Sequence, residues 1–215
     1  APACGAHFVV ASPCNIRDIA ADSAPRTASH IASVAHVDII ETGSNLMTPI
    51  IIKLGGYQKP ASVHTRAAVR FWKVLTEKLG DRITFELVGD VLALGRKSGD
   101  LPLMVESGEL SLCYISTVRF TAAVPEFRLL ELPFVVRDRN SIMRALDGEL
   151  GGLFSSRMQG ATPFLLLGLW DNGFLHLSNK VRPIRTPQDC RGIRIRTHMS
   201  ELHGETFLAL GFEPD

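Results

Sequence analysis

The chain has 215 residues, 46% of them apolar, with 23 basic and 22 acidic side chains and a net charge of +1. That length accommodates one large or two small domains, and the balanced charge argues against a nucleic-acid-binding surface while leaving room for a local anion site. No run reaches the ~18 apolar residues of a membrane span, and the four cysteines, Cys4, Cys14, Cys113 and Cys190, match no zinc or redox spacing, so no metal or cofactor is expected.

Residues 1–48 carry Pro, Ser, Ala and His without sustained periodicity. Only 16–21 suggests a helical turn. Residues 7–11 are apolar but too short for a signal-peptide core, and no basic segment precedes them. The segment is unassigned, a leader-like or poorly ordered extension. Order is expected from Pro49. Three consecutive isoleucines in 50–54 suit a strand buried on both faces, as in a parallel sheet. A helix follows over 61–79, with Ala67, Phe71, Val74, Leu75 and Lys78 on one stripe and Gly80 as its stop. Residues 83–88 alternate as a second strand.

After a long loop, Asp100 caps a helix that contains Pro102 and continues over 103–110. Residues 112–115 form a third strand in which Cys113 reads as a core residue. Ser116 and Thr117 lie just past its carboxyl end and Tyr114 just inside it. Ligands of open α/β sheets bind outside the carboxyl ends of strands, although Ser116 and Thr117 could equally cap the next element. A short helix over 118–123 leads to a proline-bracketed apolar connector, 125–134. Asp138 or Asn140 starts a helix to Met158, whose continuity Gly148, Gly151 and Gly152 weaken. A fourth strand, 164–170, precedes the turn signal Asp171-Asn-Gly173, and 174–177 alternates again.

The stretch from Thr186 to Thr197 combines a one-turn helix, with Thr186 as cap and Pro187 at its first position, and a short strand after Gly192. Ile193 and Ile195 alternate with Arg194 and Arg196, so both arginines leave one face. Arg196 sits at the carboxyl end, where a guanidinium can hold a carboxylate through two parallel hydrogen bonds. By itself the stretch fits a solvated edge strand as well. A final helix over 200–210 ends at Gly211 and should feed a further strand, for which no residues remain. The alternation of strands and helices implies an α/β fold with a mostly parallel sheet.

From about residue 50 the chain resembles the substrate-binding proteins of tripartite ATP-independent periplasmic (TRAP) transporters, of the C4-dicarboxylate-binding type. The resemblance is carried by 52–79, by Val105-Glu-Ser-Gly-Glu-Leu-Ser-Leu-Cys-Tyr114, by Leu132-Pro-Phe134, by Trp170-Asp-Asn-Gly-Phe174, by 179–187, and by Gly192-Ile-Arg-Ile-Arg-Thr197 with Ala209-Leu-Gly-Phe212 behind it. It covers roughly three quarters of the chain and the first two thirds or so of a family member. It implies a two-lobed, periplasmic-binding-protein-like fold, with a first lobe over 49–172, a hinge near Asn172 and Gly173, and the start of a second lobe over 173–215. It implies a cleft that closes on a small organic acid, with Arg196 as the carboxylate clamp. Tyr114, Ser116 and Thr117 would face the cleft from the first lobe, and Trp170 and Asn172 from the hinge side. The implied partners are the ligand and the membrane subunits of a TRAP transporter. A periplasmic monomer without nucleic acid is expected.

One departure bears on specificity. Many members carry a second arginine in a pattern like Asn-Gly-Phe-Arg, where this chain has Asn172-Gly-Phe-Leu175. Leu175 therefore suggests a smaller or more apolar monocarboxylate. Two other classes compete. An enzyme would draw on Ser116 or Cys113 with His176, His198 or His203, yet no nucleophile elbow or phosphate loop occurs, and His198 and His203 are five apart rather than four. A ligand-sensing regulator domain would need a helix-turn-helix before the first strand, and 1–48 shows no amphipathic pair.

Overall fold

The computed structural model describes residues 4–11, 49–197 and 200–215, so the expected helical turn at 16–21 and His198 lie outside the described residues. The chain divides into two compact units. One comprises 10–114 and 163–165, the other 1–9, 115–162 and 166–215. The mixed helices and parallel strands of both make the fold α/β.

The first of these units is built from strand β2 (Ile50–Gly55), helix α1 (Val63–Leu79), β3 (Ile83–Val88), helix α2 (Leu101–Glu106) and β4 (Leu112–Ser116), whose last two residues belong to the other unit. Strand β2 lies between β3 and β4. It runs parallel to β3 from Ile50 opposite Ile83 to Gly55 opposite Val88, and parallel to β4 with Leu54 opposite Leu112. Parallel neighbours need a crossover, and α1 supplies it. Ser62 caps α1, its Oγ accepting from the Thr65 N–H at 3.1 Å, and Gly80 ends it at φ 56°.

The buried face of α1 is rotated from the expected stripe. His64, Thr65 and Ala68 are buried, Phe71, Leu75 and Leu79 half-buried, and Val74 and Lys78 exposed. Likewise only Ile52 of the three isoleucines is buried, while Ile51 is 53% exposed. Helix α2 ends at Glu106, short of the expected Leu110, and Gly108 adopts φ 80° just beyond.

The other unit holds most of β1 (Cys4–Ala11) and of β5 (Leu165–Phe174). The sequence reading had no strand in 1–48. Instead of one helix to Met158 there are two, α3 (Arg139–Leu146) and α4 (Glu149–Ala161). Gly151 lets them meet: a Cβ there would stand 1.9 Å from the Leu146 carbonyl oxygen. Strand β5 runs through Asp171-Asn-Gly173, where a turn was expected, and takes Phe174 with it. Gly173, at φ 79°, makes that passage possible.

The last segment forms a small β-α-β unit of β6 (Arg194–Ile195), α5 (Glu201–Ala209) and β7 (Glu213–Pro214), with β6 and β7 parallel. The final helix therefore does feed a strand, one of two residues. Cys190, Ile193 and Phe212 form its core, with Ile184, Ile195, Phe207 and Leu210 packed against them.

Candidate functional site

Arg196 lies one residue beyond β6 and is exposed. Its neighbour Arg194 is engaged, its Nη2 standing 2.9 Å from Asp215 Oδ2. The alternation that put both arginines on one face is thus resolved by Asp215, just past β7, which takes Arg194. Among the described residues Arg196 forms no ion pair. A guanidinium that keeps its donors uncommitted at a strand's carboxyl end can accept an incoming carboxylate bidentately.

The turn before β6 is held by one carboxylate. Asp189 Oδ2 accepts from the Arg185 N–H at 3.0 Å, the Thr186 N–H at 2.8 Å and the Thr186 hydroxyl at 2.9 Å. These bonds, the Arg185 N–H foremost, hold its carboxyl below the usual aspartate range. Arg182 braces the same turn, donating from Nε to the Asp189 carbonyl at 2.9 Å and from Nη2 to the Arg191 carbonyl.

Trp170 and Asn172 lie in the second half of β5 and are half-buried. Asp171 between them is fixed on both oxygens. Its Oδ1 accepts from the Gly173 N–H at 2.6 Å, and its Oδ2 pairs with Arg139 Nε at the start of α3. The sequence by itself places Asp171 only in a turn signal. Ser116 is half-buried at the end of β4, and Thr117, with 1% of its surface exposed, begins the next turn.

Tyr114 belongs to the other unit and has no exposed surface. Its hydroxyl lies 3.4 Å from Thr65 Oγ1. Thr65 gives its one hydroxyl proton to the Gln58 carbonyl at 3.0 Å, so Tyr114 is the donor to Thr65. Burial pushes the phenol up. The ring fills the space over Gly56, where a Cβ would come within 2.2 Å of it.

The candidate nucleophiles fare poorly. Cys113 is fully buried, and burial pushes its thiol up to about 12, far from the thiolate a nucleophile needs. His176 is exposed. His203 is buried against Glu131. Among the described residues no three His, Cys, Asp or Glu side chains come together as a metal site.

The model of the bacterial extracellular solute-binding protein family 7 matches residues 54–215. The chain belongs to this family. Among its relatives, the 2,3-diketo-L-gulonate-binding periplasmic protein YiaO of Escherichia coli is 28% identical over 148 residues, covering 69% of this chain and 44% of the relative. A TRAP periplasmic solute-binding protein from Sulfurospirillum deleyianum, solved with bound succinate, is 29% identical with a TM-score of 0.65, covering 77% of this chain and 52% of its own. Another from Polaromonas, bound to D-erythronate, is 27% identical with a TM-score of 0.68, covering 77% and 54%. The chain thus spans about half the length of such family 7 proteins, less than the two thirds expected from sequence, while three quarters of it takes part in the likeness. The two-lobed α/β class of these neighbours is the one expected.

Proposed function

We propose that this chain is part of an extracytoplasmic, periplasmic solute-binding protein that captures a small organic acid and delivers it to the membrane subunits of a TRAP transporter. The carrying observation is Arg196, an exposed guanidinium past the end of β6 beside an arginine already paired to Asp215. Family membership and structural neighbours bound to succinate and D-erythronate support a carboxylate as the class of ligand.

In this reading the lobes divide near Asn172 and Gly173, and the cleft between them shuts on the ligand through contacts made only in the closed state. Arg196 holds the carboxylate. Ser116, Trp170 and Asn172, each half-buried, line the remainder of the site. Tyr114 and Thr117 are buried, so their contact with a ligand requires the surrounding side chains to rearrange. Leu175 occupies the place of a second arginine, which favours a small monocarboxylate over a dicarboxylate. The protein binds without catalysis, as a monomer and without nucleic acid.

Removing one partner of a desolvated charge pair costs about 2–5 kcal/mol. Calorimetric titration of the full-length protein with lactate, succinate and D-erythronate should therefore show binding to the wild type that Arg196→Ala weakens at least about tenfold. Arg196→Lys should recover only part of it, because an ammonium lacks the planar fork. Undiminished binding by Arg196→Ala would remove Arg196 from the site.

A further inference from the structure

One buried polar cluster lies outside the proposed contact set. Glu131 lies within the 125–134 connector and has 2% of its surface exposed, and His203 on α5 has 5%. His203 Nε2 lies 3.7 Å from Glu131 Oε2. Ser200 Oγ donates to that same oxygen at 3.0 Å. Glu131 Oε1 is buried with no hydrogen-bond partner among the described residues. The other charges at this junction are Arg128, which acts on Glu131 from the connector, and Glu201 on α5, which pairs with Arg128 at 3.6 Å. Phe207, one turn along α5, packs edge-on between His203 and Phe212.

The cluster ties together parts of the chain 69 positions apart. Ser200 follows Arg196 by four positions and immediately precedes α5. Whatever holds Ser200 and the first turn of α5 therefore limits where Arg196 can swing. Yet a wholly buried carboxylate is a costly means of attachment unless a proton or a cation accompanies it.

We propose that Glu131 is a positioning residue that, with Ser200 and His203, anchors the segment bearing Arg196, and that the anchor holds while the Glu131–His203 pair retains one proton. With that proton the pair is either a neutral acid beside a neutral imidazole or an ion pair, and both satisfy the site. Without it, the buried carboxylate keeps Ser200 and the pull of Arg128 but faces a neutral ring. Burial, the largest influence, pushes the Glu131 carboxyl above its ordinary 4.5, with Ser200 and Arg128 pulling less strongly the other way. A carboxyl raised in the folded state contributes stability that is full below its unfolded value and is lost as pH rises through its folded value. The anchor therefore loosens toward alkaline pH. The consequence for ligand affinity rests on the role proposed for Arg196; the anchoring itself does not.

The test is amide hydrogen exchange of the full chain between pH 5 and 8, corrected for intrinsic rates and read over 194–210, for the wild type, Glu131→Gln and Ser200→Ala. Glutamine keeps an acceptor for Ser200 and needs no proton. Wild-type protection should fall relative to Glu131→Gln as pH rises, by up to about tenfold per pH unit while the site titrates, and Ser200→Ala should lower protection throughout. Parallel pH profiles for wild type and Glu131→Gln, or unchanged protection in Ser200→Ala, would overturn the proposal. Titrating D-erythronate into the same proteins separates the two readings: a pH-dependent anchor without any acid binding sinks the carboxylate site and leaves the anchor standing.

Discussion

Arg194 and Arg196 differ by two positions, and their fates differ because of one carboxylate. Asp215 takes Arg194, while Arg196 forms no ion pair among the described residues. Since the Arg194 pair is exposed on both sides, Arg194→Ala should change stability by less than about 1 kcal/mol and leave acid binding intact. Denaturant titration and calorimetry on the same variant check both, and a loss of binding as large as that of Arg196→Ala would erase the distinction. Cys113 makes a second prediction at this scale. With its thiol held near 12 by burial, it should resist a maleimide at pH 8 in the folded chain and react only in denaturant. Rapid labelling of native protein, located by peptide mass, would contradict the buried position. Both arginines and Cys113 were legible from sequence as types in a pattern. Which arginine is free was not, because the residue that decides it arrives from a separate strand.

At the scale of elements, ends were read best where the signal is local. Gly80 ends α1 where its stop was expected, and Thr186 begins the turn before β6 as expected, while the Ser62 cap and the Asp189 clasp were not read. That turn carries a testable pH dependence. Asp189 has its carboxyl held low by three donors, so its contribution is present above the ordinary value of 3.8 and is lost as pH falls through the lower folded value. Asp189→Asn should remove this contribution at neutral pH and make the remaining acid sensitivity of the β6-α5-β7 unit smaller. Hydrogen exchange over 182–195 at pH 3 and pH 7 checks it, and an unchanged profile would show that the backbone holds the turn unaided. The elements misread are those whose outcome depends on distant residues. Strand β5 continues through an apparent turn, with Arg139 paired to Asp171 and Gly173 at φ 79° within it. The helix expected to reach Met158 breaks at Gly148, where α4 begins against the end of α3.

For the whole molecule, a ligand that binds only the folded state raises stability by about 2.7 kcal/mol at a hundredfold excess over its Kd. Thermal unfolding of the full-length protein should therefore shift upward with a bound monocarboxylate, less with succinate given Leu175, and less again for Arg196→Ala. Equal shifts for mono- and dicarboxylates would show that Leu175 does not set the preference.

Hydrophobic period, caps and glycine stops determined from sequence alone that this is an α/β chain and where most strands lie, since those signals act over a few residues. The order and spacing of short motifs likewise pointed to the solute-binding family and to Arg196. Tertiary structure alone decided that residues 4–11 form strand β1, that Tyr114 is hydrogen-bonded to Thr65, and that Glu131 lies buried against Ser200 and His203. The physical reason is the same in each case: hydrogen-bond and charge partners are chosen by proximity in space, and a carboxylate inside an apolar connector does not announce in sequence which helix will cover it.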